Sequence, residues 1–174
     1  TFGHDRVRVL DGGLPAWLAA DRPVEAGPAA PAPPADFRTT YRLALVRAVD
    51  QILPDLKAGR QLLDARPAAR FRGEAPEPRP GLRGGRIPGS RNLPFLEVLT
   101  PQGSLRPAND LRDLFEAAGI DPTDDLTTTC GSGMTAAILA LAAARAGNWN
   151  VAIYDGSWAE WGANASLPFA TGPA

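Results

Sequence analysis

The chain has 174 residues, 44% of them hydrophobic, and carries a formal net charge of −1. This length suffices for one globular domain with an appendage, and the balanced charge argues against a nucleic-acid groove or a polybasic membrane patch as the main function. The chain opens on a polar stretch, has no apolar run near the roughly 18 residues of a membrane span and contains one cysteine, so we expect a cytoplasmic protein without internal disulfides.

The first region in chain order is a segment with a later counterpart. Residues 7–17 resemble residues 151–161 at a constant offset of 144 positions, with Val, Asp, Gly and Trp identical at matched places. Each copy predicts a short apolar strand, an Asp-Gly turn and a short helix carrying a tryptophan. We infer that the first copy ends one domain, most of which is absent from this chain, and that the second copy ends the next.

The composition then changes to Pro and Ala over residues 26–35, which predicts a semi-extended linker. The sequence therefore predicts three regions. Residues 1–25 are the tail of a truncated first domain, residues 26–35 are the linker, and residues 36–174 form a complete domain.

Strand and helix patterns alternate through the complete domain. Short apolar or mixed runs predict strands at 37–45, 61–64, 126–129 and 151–154, and another short element begins at 90–93. Helical patterns lie at 48–58, 67–72, 109–118 and 134–146, and a long Gly/Pro/Arg loop covers 73–91. This alternation predicts an α/β fold with an open, mainly parallel sheet and helices on both faces.

The segment 128–135, Thr-Thr-Cys-Gly-Ser-Gly-Met-Thr, lies between a predicted buried strand and a predicted apolar helix. Backbone N–H groups converge at such a helix start and can hold an anion, and Gly131 and Gly133 allow the loop to curl tightly. This setting favours the thiolate form of Cys130, which is the nucleophilic form. A lone cysteine is more often a small buried hydrophobe, but such a residue needs no glycine-rich loop ahead of a helix.

Two other cysteine chemistries lack partners in the sequence. The chain has one Cys and one His, and His4 lies in the tail rather than in the complete domain. A tetrahedral metal site therefore lacks ligands, and a Cys-His protease arrangement lacks its base.

Several motifs occur together in the complete domain: Leu-Asp-Ala-Arg at 63–66, Pro-Glu-Pro-Arg at 76–79, Ile-Pro-Gly-Ser-Arg-Asn at 87–92, Cys-Gly-Ser-Gly-Met-Thr-Ala at 130–136 and Tyr-Asp-Gly-Ser-Trp-Ala-Glu-Trp at 154–161. In this order they resemble the two-domain rhodanese-like sulfurtransferases, most of all the 3-mercaptopyruvate sulfurtransferases. The resemblance implies that 36–174 is a catalytic rhodanese-like domain and that 1–25 ends the family's first, non-catalytic domain.

By position, the resemblance implies that Cys130 accepts sulfur as the nucleophile and that Ser132 assists proton transfer around it. Arg70 and Arg79 match the two arginines that grip the substrate carboxylate and carbonyl. They also follow a predicted strand at the edge where open α/β sheets bind ligands. The backbone N–H groups that bind substrate at this loop would come from Gly131, Gly133, Met134 and Thr135. The resemblance implies no cofactor and no metal.

The other charged and aromatic residues have structural interpretations. We expect Asp64 and Arg66 to brace the loops by ion pairing or hydrogen bonding. Solvated positions are expected for Arg72, Arg83 and Arg86, and core positions for Trp158 and Trp161. Arg86 stands where many relatives have a histidine, and Met134 stands where valine is usual.

The implied function is sulfur transfer from 3-mercaptopyruvate, through a Cys130 persulfide, to cyanide or a thiol acceptor such as thioredoxin. The missing first domain is a further expected partner, as a separate chain; nucleic acid and membrane are not. The nearest alternative is a thiosulfate sulfurtransferase, although those relatives tend to carry basic residues where 131–133 is neutral. A cysteine phosphatase would need a longer loop closed by arginine. A non-catalytic sulfur-carrier or binding fragment is the alternative from another class.

Overall fold

A five-stranded, all-parallel β-sheet lies at the centre of the chain in this computed structural model, which describes residues 1–173. The strands are β1 (Val46–Arg47), β2 (Gln61–Asp64), β3 (Arg91–Asn92), β4 (Leu126–Thr129) and β5 (Val151–Tyr154). Their order across the sheet is β1-β5-β4-β2-β3. Ala174, the last residue of the predicted complete domain, lies outside the described residues.

Within residues 1–173, six α-helices accompany the strands: α1 (Gly13–Ala19), α2 (Val49–Lys57), α3 (Ala68–Phe71), α4 (Ala108–Ala117), α5 (Met134–Ala146) and α6 (Ser157–Trp161). Two short 3-10 turns occur at Leu43–Leu45 and Phe95–Val98. The helices predicted at 48–58, 67–72, 109–118 and 134–146 are confirmed, as are the strands at 61–64, 126–129 and 151–154.

Neighbouring apolar side chains of β2 lie in two different apolar clusters, because successive residues of a strand point to opposite faces of the sheet. Leu63 of β2 packs with α4 and α5 in one cluster, whereas its neighbour Leu62 packs with α2 and α6 in the other. Helices therefore cover both faces of a parallel sheet. The predicted fold class is confirmed.

Two predicted strands are wrong. Residues 37–42 have no regular structure and lead into the 3-10 turn, and only the two residues of β1 pair with β5. Phe37, Tyr41 and Leu43 are exposed. The rings of Phe37 and Tyr41 contact rings of the N-terminal segment, with centroids 5.7 and 5.4 Å apart, and do not enter the core. Residues 7–10 also lack strand structure, and their apolar side chains are exposed.

Polar contacts hold the N-terminal segment against the rest of the chain. The amides of Thr40 and Arg42 donate hydrogen bonds to the carbonyls of Phe2 and Thr1, at 3.0 and 2.8 Å. Further along, the carboxylate of Asp11 accepts the Leu105 amide at 2.8 Å and pairs with Arg145 at 3.1 Å. This segment therefore rests on the surface without joining the sheet.

The strand order places β4 in the middle of the sheet, between β2 and β5. The loops that follow these three parallel strands emerge at the same edge, which is where open α/β sheets bind their ligands. Among the helices of residues 1–173, none has both the length and the apolar character needed to cross a bilayer.

The long helix α5 gives a matched test of the core. Leu139 is fully buried in the cluster with α4, whereas Leu141 on the same helix is 39% exposed. We expect Leu139→Ala to lower the free energy of unfolding by about 2–5 kcal/mol, since it leaves a cavity. The control Leu141→Ala should cost less than about 1 kcal/mol. Urea-induced unfolding measures both, and equal losses would contradict this packing.

Candidate active site

The loop of residues 130–133 connects the central strand β4 to the start of α5. Gly133, which precedes the helix, has φ 82°, a left-handed conformation that glycine adopts readily. A Cβ at this position would lie 2.6 Å from Asp155 Oδ1 and 2.9 Å from the Asp155 carbonyl oxygen. Glycine is therefore required here for two reasons, backbone conformation and the close approach of the loop that follows β5.

The sulfur of Cys130 is buried and faces hydrogen-bond donors. The amide of Ser132 donates to Sγ at 3.4 Å. Burial raises the pKa of the Cys130 thiol, but hydrogen bonds from the Thr135 hydroxyl and from the amides of Ser132, Ala136 and Thr135 outweigh burial and lower it. The amides of Thr135 and Ala136 lie in the first turn of α5, where N–H groups have no partner within the helix. The arrangement therefore favours a thiolate.

A cavity of about 280 Å³ opens in front of this loop. It brings together residues from the loops that follow β2 and β4. Of the predicted site residues, it is lined by Arg70, Arg79, Cys130, Gly131, Ser132, Met134 and Thr135. Gly133 differs from the prediction, because its amide donates to the Ser157 hydroxyl at 3.0 Å and not to the sulfur.

Arg70 approaches the cysteine loop closely. Its Nη2 lies 3.1 Å from the place where a Cβ of residue 131 would be, so Gly131 leaves room for the guanidinium. The same nitrogen donates to Oε2 of Glu77, whose side chain is only 1% exposed. Arg70 therefore reaches the cavity with its position already defined by an ion pair.

Glu77 also pairs with a second guanidinium, that of Arg66, at 2.8 Å. Arg66 is 1% exposed, pairs with Asp64 at 2.7 Å and lies 4.5 Å from the ring centroid of Trp158. Burial lowers the pKa of Arg66, but its two carboxylate partners raise it by more, so the guanidinium remains charged. The predicted ion pairing of Asp64 and Arg66 is confirmed.

Arg79 contrasts with these paired arginines. It lines the cavity and is exposed. Within residues 1–173 it makes no ion pair with a carboxylate. Its guanidinium is therefore available to an anion that enters the cavity.

The expectation of solvated arginines is wrong at two of three positions. Arg86 is buried and donates to the carbonyls of Gly172 and Pro173, while Arg83 donates to carbonyls of the segment 161–167. Both guanidinium groups donate hydrogen bonds to loop carbonyls that have no hydrogen-bond partner in a neighbouring strand. Arg72 is partly exposed and pairs with Glu74 at 2.7 Å. Trp158 and Trp161 are buried, as predicted.

Three contributors to the site were not predicted from the sequence: Glu77, Ala136 and Ser157. The Ala136 amide could have been found from the helix register, since it belongs to the first turn after Met134. Glu77 and Ser157 lie within the motifs at 76–79 and 154–161, but their partners come from other parts of the fold, and the motifs alone assign them no role. In the part of the chain that the structure describes, no three His, Cys, Asp or Glu side chains cluster in a way that could hold a metal ion.

Comparison with curated proteins finds several similar chains. The 3-mercaptopyruvate sulfurtransferase of Homo sapiens is 43% identical over 161 residues, covering 92% of this chain and 54% of that protein. The enzyme of the same name from Escherichia coli (strain K12) is 43% identical over 169 residues, covering 97% and 59%. The thiosulfate sulfurtransferase of Bos taurus is 44% identical over 162 residues, covering 92% and 54%. The chain thus spans a little more than half the length of these relatives.

Comparison with solved structures supports the fold. Wild-type EanB superposes with a TM-score of 0.89 at 24% identity, over 99% of this chain and 42% of that chain. Tum1 from Saccharomyces cerevisiae superposes with a TM-score of 0.84 at 26% identity, over 97% and 61%. The family model of the rhodanese-like domain matches residues 48–164, which is more than half of the sequence. The chain therefore belongs to the rhodanese-like domain family.

Proposed function

We propose that this chain moves sulfane sulfur from 3-mercaptopyruvate to a thiol or cyanide acceptor through a persulfide on Cys130. One observation carries the proposal: a sulfur atom with a lowered pKa lies among backbone amides, at a cavity that Arg70 and Arg79 also line. The similarity to named sulfurtransferases supports it. We further propose a cytoplasmic location and thioredoxin as one acceptor, with the family's first domain acting as a separate partner chain.

Binding of the donor begins with its negative charge. Arg79, which has no carboxylate partner among the described residues, and Arg70, held by Glu77, would share the carboxylate and the keto oxygen of 3-mercaptopyruvate. Charge-assisted hydrogen bonds from planar guanidinium groups suit both oxygen acceptors. This places the donor's sulfur toward the loop that carries Cys130.

The first transfer breaks a carbon–sulfur bond and forms a sulfur–sulfur bond. The Cys130 thiolate attacks the donor sulfur, and the electron pair of the broken bond stays on carbon as an enolate. Protonation of this enolate gives pyruvate, and Ser132, which lines the cavity, would assist this proton movement. The sulfur that carries the new terminal charge remains near the amides of Ser132, Thr135 and Ala136, which stabilise it.

The second transfer restores the cysteine. An acceptor thiolate or cyanide attacks the outer sulfur of the persulfide, and the electron pair of the sulfur–sulfur bond returns to Cys130 as thiolate. The products are an acceptor persulfide or thiocyanate. The two half-reactions predict double-displacement kinetics.

The nucleophile is tested by Cys130→Ser. A serine hydroxyl is not ionised near neutral pH and cannot form a persulfide, so we expect pyruvate formation from 3-mercaptopyruvate to be abolished. Intact-mass analysis of the native chain after donor treatment should show an added mass of about 32 Da, one sulfur atom, and the variant should show none. Transfer at the native rate by the variant would refute the proposal, whereas an adduct on the native chain without turnover would favour the sulfur-carrier alternative.

The donor is tested by comparing kcat/KM for 3-mercaptopyruvate and thiosulfate. The identity to the Bos taurus thiosulfate sulfurtransferase makes thiosulfate the second candidate. The loop residues Gly131 and Ser132 carry no charge, however, and this favours a monoanion over a dianion. We expect a preference for 3-mercaptopyruvate of at least about tenfold, or ~1.4 kcal/mol. A preference for thiosulfate would reverse this assignment.

The role of Arg79 is tested by Arg79→Ala. Loss of charge-assisted hydrogen bonds worth about 1.5–3 kcal/mol should raise KM for 3-mercaptopyruvate by roughly 10–100-fold. Arg79→Lys should recover part of this loss, since it keeps the charge but not the planar fork. The matched control Arg72→Ala, outside the cavity, should leave KM unchanged. Equal KM values for Arg79→Ala and the control would exclude Arg79 from donor binding.

A further inference from the structure

Ser157, the first residue of α6, contacts the cysteine loop through its side chain. Its side chain is fully buried. Oγ accepts hydrogen bonds from the amides of Cys130, at 3.2 Å, and Gly133, at 3.0 Å, and it donates one to the carbonyl of Tyr154 at 2.8 Å. Ser157 does not line the cavity, so it does not meet the donor directly.

These three hydrogen bonds use the whole capacity of a hydroxyl, which has one proton and two lone pairs. Because the Tyr154 carbonyl takes the proton, both lone pairs of Oγ face the two loop amides. The peptide groups of Cys130 and Gly133 are therefore turned away from Sγ. The amides of Ser132, Thr135 and Ala136 are the ones that remain directed at the sulfur.

Backbone hydrogen bonds next to Ser157 also join α6 to the cysteine loop. The amides of Trp158 and Ala159 donate to the carbonyls of Cys130 and Gly131, each at 2.9 Å. Ser157 itself has φ 51°, a left-handed conformation that is unfavourable for a residue with a Cβ. Five hydrogen bonds thus fix the serine between the carbonyl of Tyr154 and the loop of residues 130–133.

We infer that Ser157 is a positioning residue for the cysteine loop. Its hydroxyl orients the peptide groups of Cys130 and Gly133 so that the neighbouring amides face Sγ. This inference rests on the proposed function in so far as it concerns the same cysteine. The charged groups around that cysteine are Arg66, Arg70, Glu77 and Arg79 on the cavity side and Asp155 beside Gly133. None of these charged groups hydrogen-bonds to the Ser157 hydroxyl.

The readout is the pKa of the Cys130 thiol, obtained from the rate of alkylation by iodoacetamide as a function of pH. Cys130 is the only cysteine of the chain, so alkylation reports on it alone. In Ser157→Ala the two loop amides lose their acceptor, and we expect the pKa to rise by about one unit, with alkylation roughly tenfold slower at pH values below the native pKa. Ser157→Gly also lacks the hydroxyl but relaxes the strained backbone, and it should shift the pKa in the same direction.

The matched control is Ser90→Ala. Ser90 is also buried, and its hydroxyl donates to the Ile87 carbonyl at 2.6 Å away from the cavity. This variant should lower the melting temperature without moving the pKa of Cys130. An unchanged pKa in folded Ser157→Ala or Ser157→Gly would overturn the inference, as would a shift of equal size in Ser90→Ala.

A measurement on the native chain covers the case in which both Ser157 variants fail to fold. The amide protons of Cys130 and Gly133 should exchange slowly with solvent deuterium, since Oγ of a buried side chain accepts both. Fast exchange of either amide would also overturn the inference. Alkylation uses no sulfur donor, so a chain that shows the expected shift in Ser157→Ala but turns over no 3-mercaptopyruvate would contradict the proposed function alone.

Discussion

Negative charge on a buried sulfur is the constraint to which the neighbouring parts of this domain are fitted. An ion in a low-dielectric interior is costly unless donors surround it. Amides at the start of a helix are equally in need of an acceptor. The amides of Thr135 and Ala136 and the sulfur of Cys130 satisfy each other, and the central place of β4 in the sheet puts this pairing between the loops of β2 and β5.

The two flanking loops contribute in different ways. The loop after β2 brings charge: Arg66, Glu77 and Arg70 form a chain of ion pairs that leads from the core to the cavity. A buried ion pair seldom adds much net stability, because desolvation offsets the attraction. Its effect here is to define where the outer guanidinium lies. The loop after β5 brings no charge to the cavity and instead holds the cysteine loop through the hydroxyl of Ser157.

Much of the fold could be predicted because the apolar patterns of 61–64, 126–129 and 134–146 each have one strong interpretation. The strand predicted at 37–45 was wrong because a mixed pattern does not reveal whether a surface exists to cover its apolar side chains. The grouping of Arg70, Arg79 and Cys130 at one cavity agrees with a position-by-position resemblance. Their roles remain predictions.

The missed residues share a physical explanation. Glu77 forms ion pairs, and Ser157 forms hydrogen bonds, with residues that are distant in sequence or lie across a turn. Only the folded chain creates these contacts. The hydrogen bonding of Arg83 and Arg86 was missed for the same reason, since the carbonyls that accept from these two side chains belong to the C-terminal segment. Arginine composition alone gives no sign of such partners.

The ion pairs also determine the net charge of the groups that line the cavity. Three guanidinium groups, those of Arg66, Arg70 and Arg79, line it, and the carboxylates of Asp64 and Glu77 offset two of them. One positive charge is left over, at Arg79. A protonated Cys130 leaves this enclosure with one net positive charge, whereas a Cys130 thiolate brings it to electroneutrality before any ligand enters.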